Sequence, residues 1–146
     1  MNPHFLFPRV RLGWLALLGL SMAALGCGAS NGIYPVHGQV FVQGQPAVGA
    51  AVTFHPANAS EDAPPRIPTA VVEQDGSFRL TTLSAYDGAP PGEYTVTITW
   101  CDVKRDEGDP IDGPDKLQGR YANAKYSTIK ATIQSGKNEL KRYDLN

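Results

Sequence analysis

From Pro91 to Cys101 the chain reads PGEYTVTITWC, with Tyr94, Val96, Ile98 and Trp100 alternating against Thr95, Thr97 and Thr99. This strict period of two, filled with β-branched and aromatic residues, predicts a strand with one face on a core and the threonine face in water. A helix would scatter the four large residues around its axis. Pro91-Gly92 starts the strand, and the polar run DVKRDEGDP after Cys101 is expected to end it.

The same alternation recurs on both sides of this central strand. In Pro35 to Val42, Val36, Val40 and Val42 share a face with Gly38 between them, while His37, Gln39 and Phe41 share the other. Gln43-Gly44-Gln45-Pro46 makes a turn, and Ala50 to His55 then aligns Val52 with Phe54 before Pro56 stops it. Residues 57–68 read as a polar, proline-rich loop. Thr69 to Gln74 and Ser77 to Thr82 flank Asp75-Gly76, a strong hairpin signal in which both turn positions are expected at positive φ. Phe78 and Leu80 should face the core and Arg79 the solvent. Asp102 to Tyr126 holds no sustained period and is expected to be irregular. Thr128 to Gln134 aligns Ile129, Ala131 and Ile133, and Glu139 to Leu145 supplies a last strand with Leu140 inward. About seven short strands separated by turns predict an all-β protein, an antiparallel β-sandwich.

The amino terminus has a different pattern. Arg9 and Arg11 precede an uncharged run from Leu12 to Gly26, shorter than the roughly 20 apolar residues of a spanning helix. This is the pattern of a signal peptide over residues 1–26. The run ends Ala23-Ala24-Leu25-Gly26-Cys27, which resembles a bacterial lipobox, with Ala24 in place of the commoner leucine. The resemblance implies cleavage before Cys27 and a diacylglycerol on its thiol. Residues 27–34 would then tether the lipid to a domain over 35–146, anchoring the chain in the cell envelope through two or three acyl chains.

Composition narrows the function classes. The 146 residues carry a formal net charge of -1, and 15 Gly and 12 Pro fit a fold of many turns. Removing Arg9 and Arg11 leaves 11 basic and 14 acidic side chains, a charge of -3, with no basic stripe for nucleic acid. One compact domain fits this length.

The order of signals resembles the carboxypeptidase regulatory-like domain, a transthyretin-like β-sandwich. The likeness runs through Val36-x-Gly38-x-Val40, Gly44-x-Pro46-x-x-Gly49-Ala50-x-Val52-x-Phe54, Asp75-Gly76-x-Phe78-x-Leu80 and Pro91-Gly92-x-Tyr94-x-Val96-x-Ile98. It covers about Tyr34 to Trp100. The tail, from Leu117-x-Gly119-Arg120-Tyr121 through Lys137-Asn138-Glu139-Leu140, is similar to small bacterial lipoproteins that carry this domain alone. The resemblance implies an accessory folding or binding module with no catalytic residue. No cofactor is expected, and beyond the membrane the partner stays open between an envelope protein and a glycan. A transthyretin-like hydroxyisourate hydrolase would end in Tyr-Arg-Gly-Ser, whereas this chain ends Lys141-Arg142-Tyr143-Asp144-Leu145-Asn146.

Candidate chemistry is sparse. Asp102, Asp106, Glu107, Asp109, Asp112 and Asp115 form an acidic cluster, with Asp106, Asp109 and Asp112 as the candidate calcium ligands of an adhesion module. The spacing is not that of an EF-hand, Pro110 and Pro114 interrupt it, and Lys104, Arg105 and Lys116 offset its charge, so a solvated loop is the expectation. His37 and His55 could join a carboxylate around zinc, but alternation puts both on outward positions. Cys101 lies on the threonine side of the central strand with Lys104 and Arg105 near in sequence, and a partly covered, inert thiol is expected. Phe41 could extend the threonine ladder into a patch for sugar or protein, but the expectation is that segment 102–126 covers it. Tyr121 and Tyr126 are expected to pack as lids.

Overall fold

The structure, a computed structural model, describes residues 1, 32–58, 65–106 and 109–146, and of 103–106 and 109–112 only the backbone. Every regular element among the described residues is a strand. In chain order they are β1 (Val36–Val42), β2 (Gln45–Pro46), β3 (Ala51–Pro56), β4 (Thr69–Val71), β5 (Ser77–Arg79), β6 (Gly92–Thr99), β7 (Cys101–Asp106), β8 (Asp109–Asp115), β9 (Lys130–Ile133), β10 (Asn138–Glu139) and β11 (Tyr143–Leu145). The signal-peptide and lipobox readings, including Cys27, lie outside the described residues.

Two sheets face each other. One is antiparallel in the order β4-β3-β6-β9, and the other is gathered around β1, which β2 and β5 join antiparallel and β10 and β11 parallel. The alternation decides what is buried: Val36 and Val40 from β1, Val52 and Phe54 from β3, and Tyr94, Val96 and Ile98 from β6 are all 4% exposed or less. Phe54 links the layers, its ring 6.3 Å from Phe78 of the opposite sheet and 5.8 Å from Tyr94 of its own. These offset, tilted pairs suit the ring quadrupoles. The all-β architecture is as the pattern predicts. The strands around β1 differ, because β10 and β11 run parallel to it.

Other expectations need correction. Trp100 shares the dry interior of Tyr94, Val96 and Ile98 only in part, packing against the core from its edge. It lies just past β6, half-buried, with its indole N–H donating to the Val48 carbonyl at 2.9 Å. An indole must place its N–H on an acceptor, which holds the ring at the rim. On the supposedly wet face, Thr97 is buried, and its hydroxyl meets His55 Nε2 at 2.9 Å. The hairpin turn has only Gly76 at positive φ (84°), while Asp75 stays at negative φ and accepts the Ser77 N–H at 2.9 Å. The Gly76 N–H closes on the Glu73 carbonyl, so the turn is a type I with glycine in the left-handed position that follows. The arms of this hairpin then separate, β4 joining β3 and β5 joining β1.

The polar segment after Cys101 is not irregular at its start. β7 and β8 form a two-stranded ribbon of their own, with a register shift between Cys101 and Val103. Its sequence is poor in strand-forming residues, but pairing back on itself satisfies its main-chain groups. Asp115 fixes the ribbon's base, as its carboxylate accepts the N–H groups of Trp100 (2.9 Å), Leu117 (3.0 Å) and Gly119 (2.9 Å). Leu117, just beyond, is fully buried. The carboxyl-terminal strand is also broken. β10 and β11 replace a single run, and Leu145 is buried where Leu140 is only partly covered.

A threonine-floored groove as candidate binding site

The loop between β5 and β6 holds one of three non-glycine residues at positive φ among the described residues, with Gln43 and Gln118 the others. Tyr86 has φ of 61°, a left-handed conformation that a bulky side chain rarely adopts. It is held there by its own N–H donating to Thr81 Oγ1 at 2.9 Å and by its neighbour Asp87. The Asp87 carboxylate accepts the N–H groups of Thr82, Leu83 and Ser84 at 2.7, 3.0 and 2.9 Å. Burial alone would push this carboxyl up, but the N–H donors outweigh it and hold Asp87 below the usual carboxylate value. Gly88 completes the loop by a close approach to Tyr34, where any Cβ would strike the Tyr34 carbonyl. The result is a rigid loop presenting an exposed aromatic ring, 55% accessible.

Arg79 stands beside this ring. As expected it points outward from β5, and its guanidinium carbon lies 3.8 Å from the centre of the Tyr86 ring. It also donates to Glu73 Oε1 at 2.9 Å. The Glu73 bond raises the Arg79 pKa further, so the guanidinium stays charged and is neutralised by its partner. Together Arg79, Glu73 and Tyr86 wall one side of an open groove of about 660 Å³ that runs over β3 and β4.

The groove floor follows from register. Thr53 stands opposite Thr97 on β6 and opposite Thr69 on β4, and Thr69 is bridged to Thr81. Directly opposed residues share a face, so four threonines separated in sequence form one row across four backbones. Thr53, Thr69 and Thr81 line the groove, and Thr97 lies buried beyond it. The row ends in a side-chain bond at one side, Thr97 to His55, and at the other in the Tyr86 N–H bond to Thr81. Val71, 63% exposed, adds an apolar spot beside it.

The residues singled out from sequence fall elsewhere. His37 is on β1, 4.0 Å from Glu139, and His55 is on the other sheet, so the two do not meet. Asp102 pairs with Lys116 at 2.6 Å, and the Lys116 ammonium lies 4.5 Å over the Trp100 ring. Asp115 is taken up by main-chain donors; burial pushes its carboxyl up, but the three N–H groups together leave it lowered. Register puts Asp106 opposite Asp109 and Asp112 opposite Val103, while the side chains of these candidate calcium ligands, and Glu107, lie outside the described residues. Among the described residues, no three His, Cys, Asp or Glu side chains cluster as a metal would require. Cys101 is half-buried at the start of β7. Phe41 is on the sheet away from the threonines, where the Gly76 turn lies against its ring and the Arg142 guanidinium lies 4.9 Å from the ring centre. Tyr121 packs against the core, whereas Tyr126 is 70% exposed and lids nothing. Sequence reasoning missed Tyr86, Arg79 as a site residue, and the threonine row. Asp87-Gly88 was the available signal for Tyr86, since that dipeptide marks a tight turn.

No family model matches the chain, and no curated protein does. Among solved structures it is similar to a 9R-lipoxygenase from Cyanothece (11% identity, TM-score 0.42, 77% of this chain and 16% of that one). It is similar also to a proposed carbohydrate binding protein from Pseudomonas aeruginosa (16% identity, TM-score 0.38, 75% and 88%). A third is a DUF3823 family protein from Parabacteroides merdae (18% identity, TM-score 0.37, 74% and 43%). The chain thus spans about a sixth of the length of the lipoxygenase and under half of the DUF3823 protein.

Proposed function

We propose that this protein is a lipid-anchored β-sandwich of the bacterial cell envelope that acts as a non-catalytic binding module, with the groove between Tyr86 and Thr53 as its binding surface. The observation that carries this reading is Tyr86, a large exposed ring held at positive φ by Thr81 and by the Asp87 loop. Strain of this kind persists where the surroundings over-determine it, commonly at ligand sites. The groove's charged groups favour binding over catalysis, because Arg79 and Glu73 are committed to each other at 2.9 Å. The residues that resemble the carboxypeptidase regulatory-like domain support the same reading, as does the all-β fold.

In this account residues 1–26 are removed on export, Cys27 carries the lipid, 27–34 form the tether and 35–146 the domain. Cells fed a labelled fatty acid then yield a labelled protein, and Cys27→Ser abolishes the label; a labelled Cys27→Ser protein refutes the anchor. The binding reading is tested separately, by affinity capture from solubilised envelopes with the wild type and Tyr86→Ala. A component retained by the first and lost with the second supports the groove, and equal retention by both rejects it.

A further inference from the structure

The groove's own chemistry narrows the ligand, given the binding reading above. We infer that it takes an uncharged, hydroxyl-rich glycan chain, laid across the strands along Thr53, Thr69 and Thr81 with one sugar ring against the open face of Tyr86.

Three observations lead there. The first is charge. Among the described residues the only ionic groups lining the groove are Arg79 and Glu73, which cancel at 2.9 Å, so an anionic ligand would have to displace Glu73 and a cationic one Arg79. A neutral ligand displaces neither, and can still accept from the guanidinium edge and donate to the carboxylate. The second is the ring. Tyr86 has Arg79 against one face and remains more than half exposed, which leaves an amphipathic platform of the kind that takes an apolar ring face while its hydroxyl meets water or ligand.

The third is spacing. The threonine hydroxyls repeat across neighbouring strands, at intervals of about 4.8 Å. An extended peptide advances only about 3.4 Å per residue and returns to the same side after two, so its polar groups fall out of step with this row. A pyranose chain repeats at close to the strand spacing and offers hydroxyls on each unit. Each threonine hydroxyl both donates and accepts, as each sugar hydroxyl does. Strand addition by a peptide is disfavoured at Thr69 for another reason: the edge of β4 is already taken there, with Thr69 N–H and carbonyl both bonded to Thr81 at 2.9 and 2.8 Å.

The test uses the full mature protein in a sugar-free zwitterionic detergent, titrated calorimetrically with cellohexaose, maltohexaose and chitohexaose. Polygalacturonate and a random-sequence peptide pool serve as competing classes. The expected result is binding of at least one neutral hexasaccharide, weakened about tenfold by Tyr86→Ala and about fivefold by Thr69→Val, with Tyr86→Phe close to wild type. Preference for the N-acetylated chain points to wall glycan as the source, and preference for a glucan to an external polysaccharide. Tighter, salt-sensitive binding of polygalacturonate overturns the neutral assignment. Peptide binding that Tyr86→Ala removes, with no hexasaccharide bound, overturns the glycan and keeps the groove. Hexasaccharide binding that neither variant weakens overturns the groove itself, and binding of no probe overturns the inference.

Discussion

Gly38 faces Phe78 across the β1–β5 ladder, and the phenyl ring lies where a Cβ on Gly38 would stand. The bare Cα lets Phe78 reach Phe54 at 6.3 Å and stack on Tyr143 at 6.2 Å, so this single hydrogen atom keeps the two sheets joined by aromatic contact. Gly38→Ala should therefore destabilise the fold by about 1–3 kcal/mol, the usual cost of overpacking a filled core. Thermal unfolding reads it. Adding Phe78→Leu to Gly38→Ala should lower Tm by less than the two single changes summed, because the collision is then partly relieved; strict additivity would show that the ring does not depend on the glycine.

Asp115 binds the end of β6 to the base of the ribbon. Removing its carboxylate leaves the N–H groups of Trp100, Leu117 and Gly119 to find other acceptors. Asp115→Ala should cost about 2–3 kcal/mol, in the range for hydrogen bonds to a charged group. It should also speed amide exchange at Leu117 and Gly119 more than at Val96 in the core. Uniform acceleration at all three would contradict a local role.

Acid should act on the same devices. Asp87 and Asp115 both have native pKa values below the ordinary 3.8, so the native state releases protons that the unfolded chain would hold. Their contribution is present above 3.8 and is lost as pH falls through the lowered native values. Tm should hold level from neutral pH down to about pH 5 and decline below about pH 4. The Asp87→Asn, Asp115→Asn double variant should start lower and decline less steeply. Parallel curves would refute the assignment.

At the alkaline end the sign reverses. Burial raises the Tyr143 hydroxyl from 10.0 to about 12, so the unfolded chain loses this proton first. Stability is complete below pH 10 and falls as pH rises toward about 12. In a tyrosinate absorbance titration, Tyr143→Phe should remove a late component near pH 12. Removal of an early component would show that the hydroxyl is open to water.

The core was legible because burial tracks a period of two, and Val36, Phe54, Val96 and Ile133 declare it without help from the rest of the chain. What lay hidden depends on register. Nothing in the local sequence around Thr53, Thr69, Thr81 or Thr97 says that they share a row, because the pairings that align them span 12 to 44 residues of chain. The parallel pairing of Tyr143 to Leu145 with β1 is hidden for the same reason. The ribbon was missed differently. Asp, Pro and Gly argue against a strand at each position, and only the partner strand makes the segment regular. Thr97 was misplaced because a residue on an outward face can still be covered by a neighbour, here His55.

The central claim is that the surface between Tyr86 and Thr53 is where this protein meets its ligand. The most direct measurement places a photoreactive diazirine amino acid at Val71, inside the groove, and in a second protein at Tyr126, exposed but outside it. Each full-length protein is irradiated in intact envelopes and followed by its shift in mass. The account predicts an adduct from Val71 that Arg79→Ala diminishes and none from Tyr126. An adduct from Tyr126 alone, or equal adducts from both, would contradict it.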